Sequence, residues 1–207
     1  MIASAVMAPG LRPAGTYGDK YTTRNPVARF LVNGFLDAVA ELARRTCARR
    51  VLELGAGEGE VTCRVIEALR PELCVATDLA ASCVRCAGGR LPEAFGAQVD
   101  AAVLPFRDEA FDLVVACEVL EHLEEPGRAL REMRRVSGAW ILASVPREPL
   151  WRALNVARLR YLADLGNTPG HRQHWSRSDF LDLVRTAGRI EEVRGPVPWT
   201  IALCRKS

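Results

Sequence analysis

The chain has 207 residues, of which 49% are hydrophobic and 26% charged, and its formal net charge is +3. These values are ordinary for a globular protein, and the length favours one domain with a substantial buried core. The small, evenly spread charge predicts no nucleic-acid partner. No apolar run is long enough to span a bilayer and no signal peptide is evident, so we expect a cytoplasmic protein without a stable membrane anchor.

The N-terminal part of the chain divides into a tail and a helix. Residues 1–15 are rich in small residues, prolines and glycines, which predicts a flexible N-terminal tail ahead of a single domain over residues 16–207. Residues 25–45 carry apolar side chains at a 3.6-residue spacing, with Pro26 in a position favoured in a first helical turn. This segment is predicted to be an amphipathic helix.

Downstream of residue 50, short apolar runs alternate with segments of helical periodicity. Alternation of this kind is typical of a parallel sheet with helices packed on both of its faces. The predicted helices cover residues 61–69, 82–90 and 126–136, and the predicted strands cover 51–54, 75–79, 111–117 and 140–146, with a third strand ending within 99–106.

Residues 149–175 interrupt this alternation. A stripe of apolar residues at helical spacing predicts a helix, which a stretch containing Gly and Pro over 166–170 ends. Ligands in open α/β sheets bind beyond the carboxyl ends of the strands, so a segment that follows the fifth strand is interpreted as a lid insert over the substrate. The stripe is formed by Leu150, Leu154, Ala157, Tyr161 and Leu165.

The last part of the chain returns to the pattern of a sheet. Ser176 and Asp179 have capping-box spacing, which predicts a helix over residues 179–187. Residues 191–197 and 199–205 are then predicted to be an antiparallel pair of strands that completes the sheet.

The most informative segment is the glycine-rich run over residues 51–62. It has the pattern G-x-G-x-G, with Glu53 two positions before its first glycine. Glycine adopts positive φ and lets a ligand approach the backbone, so the run predicts a cofactor loop. A dinucleotide fingerprint would need a glycine where the chain has Glu60, and no Lys-Ser/Thr pair follows as in a P-loop. Both of those nucleotide-binding classes are therefore disfavoured.

Four segments carry a resemblance to a known family by their order and spacing: the glycine run and residues 75–79, 99–106 and 111–123. Over roughly residues 45–145 the chain resembles the class I S-adenosylmethionine (SAM) methyltransferase superfamily, in its methyltransferase type 11 or ubiquinone-biosynthesis-like branch. The resemblance implies an α/β fold with a Rossmann-like, seven-stranded, mostly parallel sheet, helices on both faces and the helical lid insert. It also implies SAM as cofactor and methyl transfer to oxygen, nitrogen or carbon of a small molecule, in secondary or cofactor metabolism.

The resemblance also assigns contacts with SAM residue by residue. Glu53 accepts hydrogen bonds from loop amides or, through water, from the SAM ammonium group. Asp78 binds the ribose hydroxyls, and Asp100 and the Ala101 amide meet the adenine edge. Asp78 has the alternative role of a helix N-cap, and Asp100 that of a surface acid. The full expected set is Tyr21, Arg24, Glu53, Gly55, Ala56, Gly57, Asp78, Leu79, Asp100, Ala101, Cys117 and Glu118.

The three histidines of the chain, His122, His171 and His174, fall where the acceptor should lie and are the candidates for a catalytic base. An imidazole titrates near neutral pH, but a base is needed only when the acceptor is a hydroxyl, since a neutral amine brings its own lone pair. Each histidine has the alternative role of bracing a turn or loop. The candidate substrate contacts are Trp151, Arg152, Asn155 and Trp175.

Several alternatives stay open at this point. The arginines of the insert suit an anionic acceptor, although the insert could equally be a lid helix with a solvated face, or a membrane contact.

Glu118, Glu121 and His122 resemble the acidic stretch of ubiquinone-type O-methyltransferases, some of which use a divalent ion. A metal-assisted O-methyltransferase of a quinone- or catechol-like or lipid-linked substrate is therefore an alternative to the metal-free interpretation. A further alternative is that the chain is a non-catalytic SAM-binding partner module. Both a monomer and a homodimer are compatible with the sequence.

Overall fold

The computed structural model describes residues 21, 23–157, 161 and 164–207. The predicted flexible tail over residues 1–15 lies outside the described residues, so it stays a prediction, as do the domain bounds.

The core of the fold is one seven-stranded sheet with the strand order β3-β2-β1-β4-β5-β7-β6. Strands β1 to β5 pair in parallel, whereas β7 pairs antiparallel with both β5 and β6. The strand order reverses between β1 and β4, which is where α/β sheets open a crevice for ligands. The strands are β1 Arg50–Leu54, β2 Leu73–Asp78, β3 Ala94–Gln98, β4 Phe111–Cys117, β5 Ser137–Pro146, β6 Arg189–Arg194 and β7 Trp199–Arg205.

Helices connect the strands and begin where the sequence supplies caps. The Asn25 side chain accepts hydrogen bonds from the amides of Val27 (2.9 Å) and Ala28 (3.2 Å), and the Ser176 hydroxyl accepts one from the Asp179 amide (3.2 Å). None of the described helices combines the length and apolar character that crossing a bilayer would require. The helices are α1 Pro26–Arg44, α2 Glu60–Leu69, α3 Ala81–Arg90, α4 Pro126–Val136, α5 Leu150–Ala157 and α6 Arg177–Arg185, with a 3₁₀ turn at Leu120–His122.

Two hydrophobic clusters cover the two faces of the sheet. Successive residues of β1 point to opposite faces, so Val51 packs in the cluster that contains Phe35 of α1, and Leu52 in the cluster that contains Met133 of α4. Burial on both faces explains why the central strands are continuous apolar runs rather than alternating ones. The predicted fold class is confirmed.

The third strand lies earlier in the chain than predicted. Strand β3 ends at Gln98, and residues 99–106 form the loop that follows it. The Asp100 side chain accepts a hydrogen bond from the Ala102 amide at 2.8 Å, which turns the chain back on itself. Asp100 therefore lies beyond the carboxyl end of the strand instead of within it.

The helix of the insert, α5, is also shorter than predicted. Helix α5 ends at Ala157, and Tyr161 and Leu165 have φ values of 55° and 50°, outside the helical range. Gly166 has φ of 79°, and a Cβ there would lie 2.3 Å from the Arg152 carbonyl oxygen. The chain thus folds back onto α5 at a position where only glycine fits, which breaks the predicted stripe.

Candidate cofactor and acceptor site

The glycine loop is shaped by backbone conformation and by one close contact. Gly55, Gly57 and Gly59 have φ values of 67°, 56° and 86°, in the left-handed region. A Cβ on Gly55 would lie 2.5 Å from Cγ2 of Val119, in the segment that follows β4. The first glycine is therefore needed both for the turn and for the approach of the neighbouring segment.

Asp78, at the end of β2, joins the glycine loop to the start of α3. Its Oδ2 accepts a hydrogen bond from the Gly57 amide at 3.0 Å, and its Oδ1 accepts one from the Ala80 amide at 2.8 Å. The Ala80 carbonyl accepts from the Val84 amide at 3.2 Å, so Ala80 and not Asp78 holds the N-cap position of α3, and the Asp78 carboxylate stabilises the turn before the helix. Each carboxylate oxygen has a second lone pair, and Asp78 lines the cavity described below, so the ribose role stays a prediction.

Glu53 is a buried carboxyl group beneath the glycine loop, with 3% of its surface exposed. Its pKa is raised to about 7, mainly by burial; the hydrogen bond from Thr62 lowers it, and the negative charge of Asp78 contributes to the rise. The Thr62 hydroxyl donates to Oε2 of Glu53 at 2.5 Å. The carboxyl group is therefore poised to gain or lose a proton near neutral pH.

A cavity of about 1160 Å³ opens beyond the carboxyl ends of β1, β2 and β4. The glycine loop and the strand-end acids form one part of its wall, and α1 and α5 form another. The predicted site residues that line it are Tyr21, Glu53, Gly55, Ala56, Gly57, Asp78, Leu79, Asp100, Ala101, Cys117, Glu118, His122, Trp151, Asn155 and His171.

Four predicted site residues do not line this cavity. Arg24 is exposed, and the Arg152 guanidinium donates from Nε to a main-chain carbonyl of the insert at 3.1 Å. Nε2 of His174 is exposed and lies 2.7 Å from Oδ1 of Asn167, while Trp175 packs against the cluster on the α4 face of the sheet. Their positions give no support to a role in binding or catalysis.

Two of the histidines meet where the insert docks on the 3₁₀ turn. Nδ1 of His122 lies 2.9 Å from the Gly170 carbonyl oxygen, and the His122 and His171 rings meet edge to face with centroids 5.0 Å apart. The His171 ring also lies nearly parallel to that of Trp151, with centroids 6.1 Å apart. The amide of Arg172 donates to the Glu121 carbonyl at 2.8 Å. These contacts fix the insert over the segment that follows β4.

Glu121, His122 and His171 form a cluster of metal-ligand type. Each offers one ligand atom, these atoms all lie within 4.8 Å of one another, and Glu121 is buried. Imidazole and carboxylate suit divalent transition metals, and a main-chain carbonyl that accepts from the second ring nitrogen is the usual means of orienting a metal-binding histidine. Among the described residues, this set contains His171 in place of Glu118, which was predicted from the sequence.

Part of the cavity wall was not predicted as a site at all. Most of it consists of apolar residues of α1 and α5, whose helical spacing is equally compatible with an ordinary core. The only signal for them was that the apolar stripe of the first helix extends to its exposed N-terminal end. These residues are Val27, Ala28, Leu31 and Val32 of α1, Leu154 and Ala157 of α5, and Pro198 and Trp199.

The comparisons with known proteins all point to methyltransferases. The methyltransferase domain family matches residues 52–139. A protein of Mycobacterium tuberculosis named "probable S-adenosylmethionine-dependent methyltransferase" is 37% identical over 152 residues, covering 72% of this chain and 52% of that protein. A demethylmenaquinone methyltransferase of Roseiflexus castenholzii is 31% identical over 143 residues, covering 64% of this chain and 59% of its own. The chain thus spans less than two thirds of the length of these curated relatives.

Solved structures agree on the fold. Magnesium protoporphyrin IX methyltransferase from Synechocystis, with bound S-adenosylhomocysteine (SAH), superposes with a TM-score of 0.67 at 16% identity, covering 92% of this chain and 90% of that one. At this identity the likeness speaks for the fold, and the sequence matches speak for the family. The chain belongs to the class I SAM-dependent methyltransferase superfamily, whose cofactor is S-adenosylmethionine.

Proposed function

We propose that this chain transfers the methyl group of SAM to a small-molecule acceptor, at oxygen or nitrogen. The observation that carries the proposal is that one cavity holds both the glycine loop and the insert side chains Trp151 and His171. Ligand pockets usually measure about 300–1,000 Å³. A volume of about 1160 Å³ therefore accommodates a nucleoside-sized cofactor and a second small molecule together.

The residues of one part of the wall fit SAM. Asp78 keeps a lone pair on each carboxylate oxygen for the ribose hydroxyls, and the half-buried Asp100 offers an acceptor for an adenine amine. Gly55 and Gly57 leave the backbone open to the cofactor because they carry no side chain. Glu53 supplies negative charge below the loop when it is ionised, which suits the cationic groups of SAM.

When bound, SAM supplies an electrophilic methyl group on a sulfonium. The contribution of the chain is to hold the acceptor in line with that methyl group and to keep water out, and Trp151 and His171 are placed to do so. In the neutral ring, Nδ1–H of His122 donates to the Gly170 carbonyl, so Nε2 is the basic nitrogen. It would take the proton of a hydroxyl acceptor, whereas a neutral amine would need no base.

The test is to incubate the protein with methyl-labelled SAM and an extract of its own source cells, and to separate the label by fraction. We expect label in a low-mass product, at least tenfold less with Asp78→Ala, and unchanged label with His174→Gln, whose side chain lies outside the cavity. Label only in protein, nucleic acid or lipid would overturn the acceptor class. Binding of SAM without transfer to any fraction would favour the non-catalytic SAM-binding module.

A metal-assisted O-methyltransferase is the second candidate, and the cluster of Glu121, His122 and His171 favours it. A divalent ion held there would polarise an acceptor hydroxyl and lower its pKa. Titration with Mn²⁺ or Co²⁺ should then show one site that is lost in His171→Asn and kept in His174→Asn. Full labelling after removal of divalent ions by chelation would exclude this version and leave the metal-free one.

A further inference from the structure

The part of the cavity between α1 and α5 differs chemically from the part near the glycine loop. Val27, Leu31 and Val32 line it from α1, and Trp151 and Leu154 line it from α5. Aromatic contacts join the two helices through Trp199, which also lines the cavity: Trp151 lies 5.8 Å from Trp199, which lies 4.8 Å from Phe35 of α1, measured between ring centroids. The wall is therefore a packed surface of ring faces and aliphatic groups.

The side-chain N–H groups of Trp151 and Asn155, which line this part of the cavity, donate within the insert itself. Nε1 of Trp151 donates to the Thr168 hydroxyl at 2.9 Å. Nδ2 of Asn155 donates to the Gly166 carbonyl at 2.8 Å and to the same hydroxyl at 3.2 Å. Nε1 of Trp199, which also lines the cavity, is buried without a hydrogen-bond partner among the described residues. A ligand seated here would therefore meet mainly apolar contacts and one indole N–H, and a more polar ligand would lose hydration without an equivalent replacement.

The charges around the cavity act against an anion. Among the described residues, eight acidic side chains and two arginines line it. One of those arginines, Arg172, is paired with Glu124, and Arg152 bonds to the Leu165 carbonyl outside the lining. None of these charged residues belongs to α1 or α5, so an anionic group between the two helices would lose hydration without gaining a positively charged partner.

We propose that the acceptor is an aromatic or similarly flat apolar molecule without negative charge, and that its ring inserts between α1 and α5. This inference rests on the proposed methyl transfer, because it concerns the second ligand of the same cavity. It replaces the anionic acceptor suggested by the arginines of the insert. Leu31 and Trp151 are then residues that determine acceptor specificity.

A matched pair of fluorescent probes tests the inference without knowledge of the acceptor. N-phenyl-1-naphthylamine is neutral, and 8-anilinonaphthalene-1-sulfonate has the same rings with an added sulfonate. We expect the neutral probe to bind SAH-saturated protein at least tenfold more tightly than the sulfonate, because only the sulfonate brings a charge that the wall cannot neutralise. Equal or tighter binding of the sulfonate would overturn the inference.

Two variants on neighbouring positions of α1 locate the probe. Leu31→Ala removes apolar contact from the cavity wall and should weaken the neutral probe about tenfold. Phe30→Ala is the control, because Phe30 is 76% exposed and does not line the cavity, so its removal should change binding less than twofold. An equal loss in both variants would mean that the probe binds the outer surface, and the inference would fail.

Binding of SAH is measured separately by calorimetry on the same proteins. If SAH binds and the neutral probe does not, the inference about the acceptor is wrong while the methyltransferase proposal stands. If SAH does not bind, the methyltransferase proposal itself is wrong.

In Leu154→Arg we expect the protein to bind the sulfonate probe more tightly than the neutral probe, because the substitution adds the missing positive charge to the wall.

Discussion

The buried carboxyl group of Glu53 makes the stability of the cofactor-free protein depend on pH. In the folded protein its pKa is about 7, compared with 4.5 for an unperturbed glutamate, mainly because of burial. The folded state therefore binds this proton more tightly than the unfolded state does. The stabilisation is fully present below pH 4.5 and is lost as the pH rises through about 7.

The size of the effect follows from the two pKa values. Each unit of difference between the folded and unfolded pKa corresponds to about 1.36 kcal/mol. The rise of the Glu53 pKa from 4.5 to about 7 therefore amounts to about 3 kcal/mol of unfolding free energy. In Glu53→Gln the side chain keeps an oxygen that can accept the hydrogen bond from Thr62, but the side chain cannot ionise. Relative to the wild type, the variant should gain about 3 kcal/mol between pH 4.5 and pH 8.

Urea unfolding of the cofactor-free proteins at half-unit pH intervals measures this difference directly. The control is Glu93→Gln, whose side chain is exposed and whose curve should follow the wild type at every pH. A Glu53→Gln curve that stays parallel to the wild-type curve over the whole range would contradict a raised pKa of Glu53. It would mean that Glu53 is ionised in the folded protein already at acidic pH.

Two further predictions concern segments that support the cavity. Gly55→Ala combines a φ of 67° with a Cβ placed 2.5 Å from Val119, so SAH affinity measured by calorimetry should fall at least tenfold. Adding Val119→Ala should restore part of the affinity, whereas full recovery would show that the backbone conformation is unimportant. The Arg135 side chain donates to the carbonyls of Leu104 (2.9 Å) and Phe106 (2.7 Å) in the loop after β3, and Arg135→Lys should cost about 2 kcal/mol in urea unfolding. A loss below about 0.5 kcal/mol would contradict a structural role for this fork of hydrogen bonds.

The predictions from sequence were accurate where the signal is local. Strand β4 has the predicted bounds, because all its residues except Asp112 are apolar. Strand β3 was misplaced because it lies at the edge of the sheet and carries an exposed Phe95 (68%), so it lacks the pattern of a buried strand. The apolar residues that attracted the prediction include Leu104, which is buried beneath α4 and not in a strand.

The site shows the same division between local and long-range information. The glycine loop and Asp78 could be placed because their geometry follows from a strand and the turn after it. The meeting of His171 with His122 depends on how the insert folds back, which no spacing along the chain reveals. Likewise, spacing along the chain could not show that Arg152 and His174 do not line the cavity and bond instead to Leu165 and Asn167 of the insert.

The most direct test of the central claim is calorimetric titration of the protein with SAH and, in parallel, with NADH. We expect one site for SAH, no binding of NADH, and at least a tenfold loss of SAH affinity in Asp78→Asn with no loss in His174→Gln. Binding of NADH in preference to SAH, or undiminished SAH binding in Asp78→Asn, would contradict the central claim.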